Sequence, residues 1–196
     1  MFLIAFLFIQ ITQASIFENV ERKVGVSFGS GQVSNSRIHH YALDLQYLYP
    51  TWKELKLGFG PRMTHLYSSQ IRTVDDQSEF LENINLTAFN LAFYSEYEFE
   101  NISLGFNIDM IGLTLGKSAL LNKTQKISPR KFNALLGGEA DRGTLNSEFW
   151  LGTYWRNHLL RLGLAHEVVE FSGQSANNKR RQKFFDVIFF SVARAF

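Results

Sequence analysis

The chain has 196 residues, with 20 Lys and Arg against 18 Asp and Glu, and so a formal net charge of +2. That balance gives no electrostatic case for a nucleic-acid partner, and the lack of any Cys excludes disulfides, thiol chemistry and a lipid-anchoring cysteine. Aromatic residues reach 15%, with 19 Phe, a high load for a soluble domain.

Residues 2–11 (FLIAFLFIQI) form the first element, an apolar run. It is too short to cross a bilayer as a helix, which takes about 20 residues. Thr12, Gln13 and Ala14 supply a small-residue cleavage site ahead of Ser15, so residues 1–14 read as a secretory signal peptide and 15–196 as the mature domain. No Lys or Arg precedes the run. Beyond it no apolar stretch approaches the roughly 18 residues of a membrane helix. A membrane protein without such helices must be a closed barrel, because lipid offers no partner to backbone N–H and C=O groups.

Eight alternating segments follow, at 22–30, 38–49, 52–66, 85–99, 101–115, 145–156, 158–171 and 183–196. Each can supply the roughly 9–11 tilted residues that cross an outer membrane. The second puts Tyr41, Leu43, Leu45, Tyr47 and Tyr49 on one face and Ala42, Asp44 and Gln46 on the other. The third opposes Leu55, Leu57, Phe59 and Met63 to Lys56, Gly58, Gly60, Arg62 and Thr64. The fifth alternates until Met110-Ile111, where its phase slips as at a β-bulge. One face is bulky and apolar; the other is small, polar or charged. A soluble barrel would hide the large groups. Here the small and polar set suits the narrow interior of eight strands, and Leu, Phe and Tyr face lipid. The prediction is an all-β fold, an eight-stranded antiparallel up-and-down transmembrane β-barrel.

The connections alternate too. Short ones are expected at Pro50-Thr51, Glu100-Asn101 and Asn157, and long ones at about 30–38, 67–84, 116–144 and 172–182. Short periplasmic turns and long extracellular loops are the outer-membrane arrangement. Tyr47, Tyr49, Trp52, Tyr97, Phe99, Tyr154, Trp155 and Phe196 cluster near the short turns and the C-terminus, as a periplasmic aromatic girdle would. Tyr41, Tyr67, Phe149, Phe171 and Phe184 are candidates for the outer girdle.

The last segment sets Phe196, Arg194, Val192, Phe190 and Ile188 against Ala195, Ala193 and Ser191. A strand that ends the chain on an aromatic residue resembles the closing strand of small eight-stranded bacterial outer-membrane barrels, of the OmpA transmembrane-domain and OmpX kind. The resemblance implies that Phe190, Val192 and Phe196 form the assembly signal read by the barrel-assembly machinery. It implies a Gram-negative outer-membrane location, contact with outer-membrane lipid and lipopolysaccharide, and a role in cell-envelope structure or surface interaction. It implies neither enzyme activity nor a cofactor, and a monomer is expected.

Asp44, Lys56, Arg62, Glu96, Glu98, Asp109 and Arg161 fall on the inward face, with Glu167 a further candidate. Both signs are present, as in a paired network filling a closed interior. A porin-like lining for small solutes is the alternative, but eight strands leave little lumen.

The five histidines form no metal-spaced cluster, and each is expected at the surface or a rim. His39 and His40 are adjacent and so point to opposite faces. His166 shares a phase with Leu160, Leu162 and Leu164, as would suit a lipid A deacylase with an outward His. That pattern needs a nucleophile two residues on, where Val168 stands, and Ser172 is about 20 Å away along a strand. No catalytic residue is therefore assigned.

Lys179, Arg180, Arg181 and Lys183 form a basic stretch, and 75–82 an acidic one. At the outer rim the basic residues are candidates to grip lipopolysaccharide phosphates, because guanidinium pairs bidentately with phosphate.

Overall fold

A computed structural model describes residues 20–33, 36–73, 79–117, 119–121, 125–137, 141–173 and 180–196. Eight long strands carry the fold: β1 (Glu21–Val33), β2 (Ser36–Trp52), β3 (Leu55–Thr73), β4 (Glu79–Phe99), β5 (Ile102–Gly116), β9 (Thr144–Trp155), β10 (His158–Gly173) and β11 (Arg180–Ala195). Three short strands, β6 (Ala119–Leu121), β7 (Gln125–Pro129) and β8 (Phe132–Ala134), lie between β5 and β9. Each long strand pairs antiparallel with its neighbours in this order, and β11 returns to β1, from Lys23↔Ala195 to Ser30↔Ile188. The ring is a closed eight-stranded antiparallel barrel. Closure leaves the long strands without a free edge, which is the condition for burying a sheet in lipid.

Period-two alternation places the side chains. On the outside, Phe28 is 55% exposed, Leu162 61% and Ile188 61%. On the inside, Ser27, Gly25, Arg161 and Phe189 are buried. On most strands the outward face changes from apolar to polar at one step toward the outer end: Phe28 to Ser30, Tyr41 to His39, Met63 to His65, Phe149 to Ser147, Leu164 to His166 and Ile188 to Asp186. At the other end Trp52, Tyr97, Phe99, Trp155 and Phe196 stand exposed around the short turns.

Those turns are two-residue loops at Lys53-Glu54, Glu100-Asn101 and Arg156-Asn157. Their first residues adopt φ of 46°, 52° and 56°. Tight hairpins need a left-handed residue to match strand twist. The first of these turns lies three residues beyond the expected Pro50-Thr51. Pro50 pairs with Lys56 within the ladder, and the register shifts before Trp52. Proline is tolerated where a strand bulges, so it did not end β2.

The outer connections also differ from expectation. β1 and β2 are joined by residues 34–35, β3 and β4 by 74–78, and β10 and β11 by 174–179. Two of the four expected long loops, 30–38 and 67–84, are mostly paired strand, and the expected loop 172–182 is shortened at both ends. Beyond the apolar belt the outward face turns polar while pairing continues, so the apolar alternation by which strands are recognised is lost there. Residues 117–143 remain a long excursion. Its β6 pairs with β4, its β7 with β10 and its β8 with β5. The bulge at Met110 is present: Leu91 faces Ile111 while Ala92 faces Asp109.

Candidate functional site

The interior is filled in zones. Nearest the short turns, Lys23 Nζ, buried, lies 2.8 Å from Glu96, 3.0 Å from Glu98 and 3.1 Å from Glu21, and donates to the Tyr154 hydroxyl at 2.8 Å. Lys56 pairs with Glu21 and Glu98. Further in, Arg161 lies 3.7 Å from Asp44 and stacks over the Trp150 ring, 4.9 Å from its centroid. Arg62 reaches Glu148 and Asn107. His40 contacts Glu167 at 2.6 Å and Glu148 at 3.3 Å. Asn90 donates to Asp109 at 2.6 Å and accepts from Asn133 at 2.7 Å, which ties β8 to the network. Buried ions are tolerated only in such company, because desolvation without a partner costs several kcal/mol or more.

Asp44, Lys56, Arg62, Glu96, Glu98, Asp109 and Arg161 thus all face inward, in three groups: Lys56 with Glu96 and Glu98 around Lys23, Asp44 with Arg161, and Arg62 with Asp109. Lys23, His40 and Glu148 were not anticipated. The phase of Lys23 with Gly25, Ser27 and Gly29 pointed inward, and His40 shares a face with Ala42 and Asp44. His40 is fully buried rather than at a rim, because two carboxylates receive it.

The interior is not uniformly polar. Toward the outer end Ile38, Leu66, Leu86, Ile127, Val169, Phe171, Phe185, Val187 and Phe189 pack into one buried cluster. Phe171, expected in the outer girdle, belongs to this plug and is 1% exposed. Tyr41, Tyr67 and Phe149 do face outward, at 44%, 44% and 54% exposure. The side chain of Phe184 lies outside the described residues.

Phe190 of β11 and Phe196, just past the strand's end at Ala195, project into the surroundings, with Val192 half-buried between them. Lys179 lies outside the described residues. Arg180, Arg181 and Lys183 pair through their backbones with Ser172, Phe171 and Val169, and their side chains lie outside the described set.

His166 stands on the outward face, its side chain 48% exposed. Its Nδ1 is 2.7 Å from Asp186 Oδ1, on β11 directly opposite. On the other side the register partner is Ser147 of β9. All three side chains share the outward phase. Sequence reasoning sought partners along one strand, at 167–172, whereas the sheet supplies them across strands. Among the described residues no group of three or more His, Asp and Glu is arranged to hold a metal.

No family model and no curated protein matches the chain. Among solved structures it is similar to the outer membrane protease OmpT from Escherichia coli, at 9% identity over 94% of this chain and 99% of that one, TM-score 0.38. It is also similar to an outer membrane channel from Pseudomonas putida F1, at 8% identity over 94% and 100%, TM-score 0.31. Likeness at that level transfers neither activity. What the strand ring, the closure of β11 on β1 and the apolar exterior establish is an eight-stranded antiparallel β-barrel of the outer-membrane kind.

Proposed function

We propose that this protein resides in the bacterial outer membrane as a sealed barrel, with a structural or surface-interaction role exerted at its outer rim. The observation that supports this is the filled interior: a salt-bridged network followed by an apolar plug that includes Phe171 and Phe189. Ions crossing such a column would have to displace paired charges and then pass desolvated through hydrocarbon. That weighs against the porin-like reading. Folded protein in planar bilayers tests it: the proposal expects no steady conductance, and stable open steps would refute the seal.

Lipopolysaccharide is the proposed rim partner, through the basic stretch Lys179, Arg180, Arg181 and Lys183. Replacing the first three with Ser should weaken lipopolysaccharide binding, most visibly at low salt. Unchanged binding removes this part of the proposal.

A second reading, a lipid-modifying enzyme, has one observation in its favour. His166 is not a lone histidine but bonds Asp186 and faces Ser147.

A further inference from the structure

We propose that Ser147, His166 and Asp186 form an acyl-ester hydrolase site on the outer wall of the barrel, acting on an ester-linked acyl chain of an outer-leaflet lipid. The inference deepens the second reading above and rests on it.

The three residues occupy one cross-strand row, Ser147↔His166↔Asp186, on β9, β10 and β11. Directly opposed residues hold their Cβ atoms about 4.5–5.5 Å apart. The Ser147 hydroxyl can therefore swing to the imidazole from one side while Asp186 holds Nδ1 from the other at 2.7 Å. A carboxylate at Nδ1 takes the N–H there, which puts the basic lone pair on Nε2. A nucleophile, a base and an orienting acid in mutual reach are the elements of hydroxyl activation.

Depth selects the substrate. Phe149, Leu164 and Ile188, one step inward on the same strands, are 54%, 59% and 61% exposed and lie at the edge of the apolar belt. The row is the first polar level above them. Acyl esters of membrane lipids sit at that level, since they join hydrocarbon to headgroup. Two open grooves meet at the row, the first lined by Ser147, His166 and Asp186 themselves and the second by Asp186. One, of about 430 Å³, is floored by Phe106, Ile108, Phe149 and Leu164. The other, of about 450 Å³, is bordered by Asp186, Leu164, Ile188 and Arg37. An acyl chain fits against the apolar walls, and Arg37 is placed for an anionic headgroup phosphate.

The chemistry balances without a cofactor. Ser147 Oγ attacks the acyl carbonyl carbon while its proton passes to His166 Nε2. The C–O bond to the lipid alcohol breaks, and the alcohol oxygen takes that proton. Water then attacks the acyl-serine, giving up a proton to the same nitrogen, and Ser147 leaves reprotonated with release of a free fatty acid. Asp186 is a positioning residue. Its side chain is 84% exposed, so its hold on the imidazole strengthens when lipid headgroups displace water around it.

The test uses the full chain inserted in vesicles of ester-linked phospholipid, with and without lipid A, and reads free fatty acid together with labelling by a fluorophosphonate probe. Wild type should release fatty acid from at least one vesicle type and carry the label on Ser147. Ser147→Ala should abolish both, and His166→Ala should lower release by about 100-fold or more. Asp186→Asn should lower kcat with KM unchanged. The gel mobility shift between boiled and unboiled samples checks that each variant is folded. Release from vesicles containing lipid A alone, or from both, identifies the source of the ester. Folded, inserted wild type that releases nothing from either, or Ser147→Ala that releases as much as wild type, overturns the hydrolase and leaves the sealed barrel standing. Failure of wild type to insert would instead refute the membrane reading beneath it.

Discussion

Arg62 of β3 and Glu148 of β9 meet in an ion pair across the barrel, although their strands are not neighbours in the ring. Both side chains are within a few per cent of full burial. The pair therefore ties opposite walls through the interior, and Glu148 also receives His40. Removing one member leaves the other buried and uncompensated. Glu148→Ala should destabilise the barrel by about 3–5 kcal/mol, whereas the double change Arg62→Met with Glu148→Leu should cost clearly less than the sum of the single changes. Urea unfolding in vesicles, run as a double-mutant cycle, measures the coupling.

Trp150 gives a second handle on the packed interior. A Cβ built on Gly105 would lie 2.3 Å from the indole, and the same ring carries Arg161 on its face. Glycine at 105 makes room for the largest buried side chain. Gly105→Ala should cost about 1–3 kcal/mol by overpacking. Loss of the folded-barrel band on unboiled gels at lower urea reads that shift.

The lipid belt predicts a depth profile. Leu162 lies midway along the outward face of β10, between the periplasmic turn and the polar step at His166. Leu162→Arg should destabilise by about 2–4 kcal/mol, and His166→Arg by about 0–1 kcal/mol. Equal costs at both positions would contradict the assigned boundary.

The Glu100 turn offers a gain. Glu100 is exposed and holds φ of 52°, a conformation that costs an L-residue roughly 1–2 kcal/mol. Glu100→Gly should raise stability by about 0.5–1 kcal/mol, and Glu100→Val should lower it. The unfolding midpoint of each variant decides the sign.

Much of this architecture was legible in the sequence because a lipid-embedded strand writes its two environments on alternate residues. Leu43 and Asp44, or Phe190 and Ser191, declare their faces without further help. Legibility ended where one of those environments ceased to differ. Above the belt, Thr73 and Glu79 pair in the ladder, but the sequence there lacks the apolar alternation and the pattern gave no sign of strand. Pro50 looked like a turn because the sequence does not display the bulge that accommodates it. Phe171 looked like a girdle residue, yet the outer interior is apolar and takes it inward. The Ser147, His166 and Asp186 row was hidden for a topological reason. Its members are 19 and 20 residues apart, and only strand register brings them into line.

The absence of Cys in the chain makes the central claim directly measurable. Single cysteines placed in turn at Ser103, Leu104, Leu162 and Ser191 would carry the only thiol in the protein, and a spin label there reports its surroundings. In folded, vesicle-inserted protein, labels at 104 and 162 should collide with oxygen dissolved in lipid and be shielded from a water-soluble nickel chelate. Cysteines at 103 and 191 should resist labelling. Access of the nickel chelate to 104 and 162, with free labelling at 103 and 191, would mean that the apolar face is not in lipid and the interior is not packed.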